Sequence, residues 1–515
     1  MTTQISKTDS RARLAALLLA PLLGPALGLA GCGDSESGTD TDQITGAQPS
    51  TTQGDTAAAT DAGSDGSTGD ASSTGDDAGT ATDDPGTSGT DDPSETETDT
   101  EGTTTGGVEG CQGGVDPALA ECEDEYDNVE FGWARVERWN DRKPDLPQMD
   151  FPPDGRGDVV GQRLVFFDNV PQPASSRFLL YYAPGWDAGG DDTPVLLVHG
   201  ANDSPDRAWA NPNESGAYGC GDTECPETGM MQALSQAGRR VFAIGLGHRQ
   251  GDNRIAAQLI RDAIAVVKDR AGTDEVDLIG WSMGAFSARM YVSSVGGSWS
   301  DPYQDDVRRL VLIGAPNRGF DYIFRYGINH NTLLYPECTA PLMVDPINAP
   351  SPHNESMCYG VMYEHPELSI YAQDAGDFYP GQKQMLYRWD DVYDIPVNNQ
   401  DWYTTYHGGQ GFVSSGLGID VAIGQGSLVQ EILDAGVPAS VPTYLLCGDT
   451  MGDSNNEIPV LPNEVSGPSD GVVFIESCAD ETGIATVGDS ALIVQNHLKL
   501  GWHPEGVDIV KAWLE

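Results

Sequence analysis

The sequence predicts an α/β architecture: a mostly parallel central sheet with helices on both faces and a long inserted cap. Three observations predict it. Short, near-continuous apolar runs recur along the second half of the chain, among them "TPVLLVHG" (193–200), "RVFAIGLG" (240–247), "EVDLIG" (275–280) and "VRRLVLIGAP" (307–316); runs of this kind suit strands buried on both faces. The segments between them carry apolar residues at helical spacing. From about residue 317 to 441 this alternation stops, and the chain becomes Gly/Pro/Asn-punctuated and rich in aromatics.

Taken in order, "RLVFFDN" (163–169) and "RFLLYYAP" (177–184) read as strands, followed by the stronger "TPVLLVHG". "GMMQALSQAGRR" (229–240) reads as a helix with Gly238 near its end, and "RVFAIGLG" as a further strand. "DNRIAAQLIRDAIAVVKDRAG" (252–272) is the clearest helix in the chain, with Asp252 placed to cap its start and Gly272 to stop it. "EVDLIG" is then a strand, "MGAFSARMYVSS" a helix and "VRRLVLIGAP" a strand. A structureless loop of more than a hundred residues is implausible in a compact domain. The stretch at about 320–440, with Tyr322, Phe324, Tyr326, Tyr335, Tyr379, Trp389, Trp402, Tyr403 and Tyr406, is therefore expected to be a cap of short helices and loops. Strands are expected again at "VPTYLLCGD" (441–449), "GVVFIES" (471–477) and "SALIVQN" (490–496), with a last helix in "PEGVDIVKAWLE".

The N-terminal part has a different character. Residues 1–32 combine a basic start (Lys7, Arg11, Arg13) with a short apolar stretch broken by Pro21, Gly24 and Pro25, the layout of an export signal rather than of a spanning helix. Residues 33–110 hold 19 acids, no Lys or Arg and no aromatics. Such a segment cannot bury enough apolar surface to offset its chain entropy, so it reads as a disordered Ser/Thr/Gly/Asp-rich tether. Residues 111–160 read as a Cys-containing lead-in, and 161–515 as the folded domain. Of the formal net charge of −52, −35 falls on residues 111–515, which makes nucleic acid an improbable partner. Nine cysteines are present. With Cys32 set apart, the other eight lie as near neighbours, and export favours disulfides; 111–122, 220–225, 338–358 and 447–478 is the pairing expected first. No spacing matches a zinc site.

"DLIGWSMGAFS" (277–287) places Ser282 between two glycines, where an apolar strand gives way to a helix. With 63 glycines in the chain, G-x-S-x-G alone carries little. In this context it describes a sharp turn that pushes a hydroxyl out of the end of a sheet, where ligands of such sheets bind. The turn also puts the Met283 amide at a helix N-terminus, where an anion is stabilised. A serine needs an adjacent base, and the base an orienting acid. Of six histidines after Ser282, four fall in the cap; His497 directly follows the last strand, whereas His503 precedes Pro504 and reads as a helix-entry residue. Asp449, at the end of a strand, and Asp470, in "GPSDGVV", are both acceptable acids by position. His199, in "VHG", reads as a packed residue rather than as a second base.

"LLVHGAND", "VDLIGWSMGA", "LVLIGAPNRG", "SDGVV" and "NHLKLGWHPEGVDIVKAWL" together resemble the bacterial triacylglycerol lipase branch of the α/β-hydrolase superfamily, over roughly 190–320 and 440–515. The resemblance implies Ser282 as nucleophile, Asp470 as triad acid, His497 as base, and the amides of Ala201 and Met283 as oxyanion donors. It implies a carboxylic-ester or lipid substrate and no obligatory cofactor, with calcium near the catalytic histidine, at acids such as Asp449 and Asp453, as an option seen in some relatives. Trp281 stands where the family often has histidine, and the long cap does not match the family's lid. "LAGC" (29–32) resembles the lipobox of bacterial lipoproteins, which implies lipidation at Cys32, a membrane anchor and a place in the cell envelope. Acyl transfer, cleavage of polyesters or acylated polysaccharides, and a non-catalytic surface lipoprotein are the alternatives on the same fold.

Overall fold

The chain is described here from a computed structural model. It describes Cys111, residues 119–325 and residues 370–515, apart from 153–158, 189–191, 215–224, 373, 375, 396–405, 411–414, 454–455 and 459–462. The expected export signal with Cys32, the expected tether, Cys220, Cys338, Cys358 and much of the cap, Tyr326, Tyr335, Trp402 and Tyr403 included, lie outside the described residues.

Among the described residues, nine strands form one sheet in the order β1-β2-β3-β5-β4-β6-β7-β10-β11. The strands are β1 (Ala120–Tyr126), β2 (Arg135–Asp141), β3 (Arg177–Tyr182), β4 (Val195–Val198), β5 (Val241–Leu246), β6 (Val276–Trp281), β7 (Val307–Ile313), β10 (Thr443–Gly448) and β11 (Val487–Ile493); β8 (Gly409–Gln410) and β9 (Ser415–Gly416) pair separately in the cap. The six strands from β5 to β11 run parallel, while β1, β2 and β3 continue the sheet antiparallel. Every residue of β4, β5 and β6 is buried, so both faces are covered, which is why these runs lack polar alternation.

The helices in chain order are α1 (Gly161–Phe166), α2 (Met230–Gln236), α3 (Asn253–Ala271), α4 (Met283–Val292), α5 (Tyr322–Arg325), α6 (Pro380–Gln384), α7 (Ile419–Gly424), α8 (Val429–Ala435), α9 (Ile475–Cys478) and α10 (Pro504–Leu514). The long α3 begins and ends as its sequence dictates. The Asp252 carboxylate accepts from the Arg254 amide at 2.8 Å, and Gly272 closes the helix at φ 66°, a left-handed conformation that favours glycine. Asn253, Ile260, Ile264 and Val267 are all buried, and α3 packs against α4. At the end of β6 away from the cleft, the buried Asp277 accepts from Arg239 and Arg308, while Arg309 donates to the Leu514 carbonyl at 2.7 Å. These bonds tie α10 to the sheet.

Three expectations are corrected. The lead-in, read as poorly defined, contributes β1 and β2 to the sheet. Its strands escaped notice because an edge tolerates charge: Glu123 of β1 accepts from Arg138 of β2 at 2.9 Å and from Arg177 of β3 at 2.9 Å. "RLVFFDN" forms α1, not a strand, because Asp168 and Asn169 at φ 60° and 59° end it as a helix, in the conformation that short polar side chains tolerate best. "GVVFIES" is a turn followed by α9, because the Asp470 carboxylate takes the Val472 and Val473 amides that a ladder would need. Disulfides join Cys111 to Cys122 and Cys447 to Cys478, and Cys225 is also disulfide-bonded.

In the cap, the short elements α5 to α8 stand where they were expected. Tyr322, Phe324, Tyr379, Trp389 and Tyr406 are all buried. Their centre is Asp321, which pairs with Arg325 at 2.8 Å and accepts from the Tyr406 hydroxyl at 2.6 Å. Tyr322, Phe324, Tyr379 and Tyr406 belong to the same hydrophobic core as the sheet, and none of the five lines the cleft beside Ser282.

Candidate active site

Ser282 sits between β6 and α4 at φ 55°, ψ −124°, a conformation costing a non-glycine residue about 1–3 kcal/mol. The surroundings impose it. A Cβ on Gly280 would lie 2.7 Å from the Ala285 amide nitrogen, and one on Gly284 would overlap the carbonyl oxygens of His199 and Val198. Only glycine at both positions lets β6 turn into α4 against the end of β4. The Ser282 amide donates to the Ile313 carbonyl at 2.9 Å, which holds the turn to β7. The hydroxyl is left facing the open end of the sheet.

The carboxyl ends of β10 and β11 deliver the other two groups. His497 follows β11, and its Nε2 lies 2.9 Å from Ser282 Oγ. Its Nδ1 lies 2.7 Å from Asp470 Oδ2. The other carboxylate oxygen, Oδ1, accepts from the amides of Val472 at 3.0 Å and Val473 at 2.8 Å, and the His497 amide donates to the Asp470 carbonyl at 2.7 Å. The acid is thus fixed on both oxygens, and it faces the imidazole. A buried carboxylate beside Nδ1 keeps the proton there and leaves the Nε2 lone pair toward the hydroxyl. Gly314 and Gly448 make room: a Cβ on Gly314 would stand 3.2 Å from the His497 ring, and one on Gly448 2.9 Å from the Asp470 Cβ. Of the two acids open by position, Asp470 meets His497, whereas Asp449 accepts from the Met451 amide at 2.7 Å. His503 stands at the start of α10.

Met283 is the first residue of α4, so its N–H has no carbonyl to bond within the helix. Ala201 lines the cleft beside Ser282. His199 is buried and its pKa is pushed down to about 3 by that burial. Its Nε2 accepts from the Leu246 amide at 3.3 Å and its Nδ1 lies 2.9 Å from the Gly200 carbonyl, so it is a neutral packing residue that holds the segment before Ala201. A Cβ on Gly200 would lie 3.0 Å from that of Ser282, which explains the glycine there.

The cleft at Ser282 is narrow and open at its mouth. Its lining has an apolar part, Phe320, Met385, Val472 and Leu498, and a polar part, Asn202, Arg207, Gln250 and Gln382. Arg207 forms a buried bidentate pair with Asp203 and lies 5.6 Å over the Trp281 ring. The Trp281 indole donates to the His497 carbonyl at 3.2 Å. Trp281, where histidine is usual, therefore supports the segment bearing His497. Among the described residues no cluster of three or more His, Cys, Asp or Glu could hold a metal ion.

A family model described as "alpha/beta hydrolase fold" matches residues 193–329, the span from β4 through the serine turn to α5. The fold is that of the α/β hydrolases. Hydrolase chemistry is the class of activity that the match supports. Similar solved structures include a mature lipase from Bacillus licheniformis (12% identity, 64% of this chain and 94% of that chain, TM-score 0.32). An esterase from Pyrococcus furiosus (11%, 66% and 88%, 0.33) and a carboxylesterase from Bacillus subtilis (14%, 66% and 87%, 0.30) are further examples. Among curated proteins none matches this chain.

Sequence reasoning missed the polar wall. Gln250 follows β5 by four residues, at the carboxyl end of a parallel strand, and that position is a usable signal. Gln382 comes from the cap and Arg207 from a π-helical turn (Asp206–Ala210); their convergence is tertiary, and nothing local marks it.

Proposed function

We propose that this chain is a serine carboxylic-ester hydrolase of the lipase/esterase kind, exported and held at the cell envelope through a lipid on Cys32. Ser282 attacks the ester carbonyl. His497 takes the hydroxyl proton and later delivers it to the leaving alcohol, and Asp470 orients the imidazole and balances its charge. The amides of Ala201 and Met283 receive the negative charge that develops on the carbonyl oxygen. Water then repeats the sequence on the acyl-enzyme. The observation that carries this reading is the hydrogen-bonded chain Ser282–His497–Asp470, 2.9 Å and 2.7 Å long in its two links.

The test is turnover of p-nitrophenyl esters together with labelling by a fluorophosphonate probe, in the wild type and in Ser282→Ala. The variant is expected to lose both while keeping its melting temperature; wild-type-like turnover in it would remove Ser282 from the reaction. The anchor is tested separately. Cys32→Ala should move the protein from the membrane fraction to the soluble one, and an unchanged distribution argues against lipidation. Residues 33–110 then act as a self-repelling spacer between membrane and hydrolase.

A further inference from the structure

The polar wall of the cleft contains a pair of amides that the reaction above does not use. Gln382 Nε2 donates to Gln250 Oε1 at 2.7 Å. Gln250 is fully buried, and its Nε2 has no hydrogen-bond partner among the described residues. Both residues line the same cleft as Ser282. Leaving a buried donor unpaired is costly, and native proteins keep few such groups. In this arrangement the carbonyl of Gln250 is taken by Gln382 and its NH2 group is the one left over.

This pair is also held rigidly. The Gly381 amide donates to the Gln250 carbonyl at 3.0 Å, Gln384 Oε1 accepts from the Asn253 amide at 2.8 Å, and Gln384 Nε2 donates to Asp252 at 2.7 Å. Gly381 has no space for a side chain, since a Cβ there would meet the Gly251 carbonyl and stand 2.8 Å from the Met283 sulfur. The cap helix α6 is therefore seated on the segment after β5, and the two glutamines are presented in a fixed geometry. A donor pre-ordered in this way binds at little further entropic cost.

We propose that Gln250, oriented by Gln382, is a specificity-determining residue that donates a hydrogen bond to an oxygen on the substrate. The preferred esters are small and oxygenated, with a hydroxyl, keto, ether or second ester oxygen in the limb that faces the polar wall. The rest of the ester lies against Phe320, Met385, Val472 and Leu498. This assignment rests on the serine-hydrolase reading and narrows it: a site built around a fixed polar group rejects the analogue that leaves that group unpaired.

The experiment compares kcat/KM for ethyl butanoate, ethyl 3-hydroxybutanoate and ethyl 3-oxobutanoate in the wild type, Gln250→Met and Gln250→Glu, with fluorophosphonate labelling as a control in each. The wild type is expected to favour both oxygenated esters over butanoate by about tenfold or more, and Gln250→Met to bring these ratios near one. Gln250→Glu keeps the shape and the bond from Gln382 but offers an acceptor. It should retain the hydroxy ester, which can donate, and lose the oxo ester, which cannot, by about tenfold relative to it. A wild type that labels yet treats the three esters alike overturns the inference, as does an unchanged ratio in either folded variant. A wild type that neither labels nor hydrolyses any ester overturns the hydrolase reading itself.

Discussion

Replacing Asp470 by Asn reverses a proton without emptying a site. In the wild type, Oδ1 accepts from two backbone amides, those of Val472 and Val473, and Oδ2 faces His497 Nδ1 at 2.7 Å. An asparagine must keep its carbonyl oxygen where Oδ1 stands, because two N–H donors point there. Its NH2 group is then forced toward Nδ1. The imidazole must accept at Nδ1 and carry its proton on Nε2, aimed at a hydroxyl 2.9 Å away whose proton it now cannot take. Loss of the correct tautomer is expected to reduce kcat about 10⁴-fold, equivalent to about 5–6 kcal/mol of barrier. The backbone bonds survive, so the melting temperature should move by only a few degrees. The assay is kcat on p-nitrophenyl butyrate at pH 7–8 beside thermal unfolding of the same sample. An Asp470→Asn protein that is folded and keeps a tenth of the wild-type kcat would refute the tautomer argument. A large loss in Asp449→Asn instead would move the acid to that position.

Three further outcomes follow from packing and charge. Gly284→Ala pushes a methyl group into the carbonyls of Val198 and His199, which cannot yield as a flexible side chain can; a loss of about 3 kcal/mol or more in urea unfolding is expected, and a neutral result would show that the serine turn tolerates displacement. Removing the Cys447–Cys478 bridge, which spans 31 residues, should cost about 3–4 kcal/mol by loop-closure entropy, read from the denaturant midpoint of a double Cys→Ala variant; because the loop carries Asp470, activity should fall before the protein unfolds. Burial pushes the pKa of Glu464 and that of Asp206 up to about 7. Each carboxyl binds its proton more tightly folded than unfolded, so its stabilisation is complete below about pH 4 and is lost as pH rises to about 7. Thermal unfolding should show a higher melting temperature at pH 5.5 than at pH 8, and Glu464→Gln should flatten that slope; an identical slope would mean that Glu464 ionises freely in the fold.

The legible part of the molecule was the part built from local rules. β4, β5, β6 and α3 announce themselves because two-sided burial removes polar alternation and because Asp252 and Gly272 are capping residues. The serine turn was legible since tight packing demands Gly280 and Gly284. Elsewhere the signal lies in contacts between distant segments. Strand β1, "AECEDEY", looks like loop because its charges find their partners on β2, on β3 and at Arg142, all outside the strand itself. "GVVFIES" has strand-like side chains, yet one carboxylate withdraws its amides. Position alone leaves Asp449 and Asp470 open; the family resemblance points to Asp470, which is the one that meets His497. The glutamine wall depends on where the cap comes down, which no period or spacing records.

The chain order of the sheet has a bearing on when reactivity can arise. The serine turn draws only on β4, β6, α4 and β7, but its proton acceptor enters 215 residues after the serine, on the far side of β7 and β10 and after the final edge strand. A polypeptide that ends between β7 and β11 contains Ser282 and the strand that holds its turn but lacks His497. Competence switches on with the closing of the last edge, so a reagent that traps the serine reports completion of the whole sheet and serves as a folding gauge for this chain.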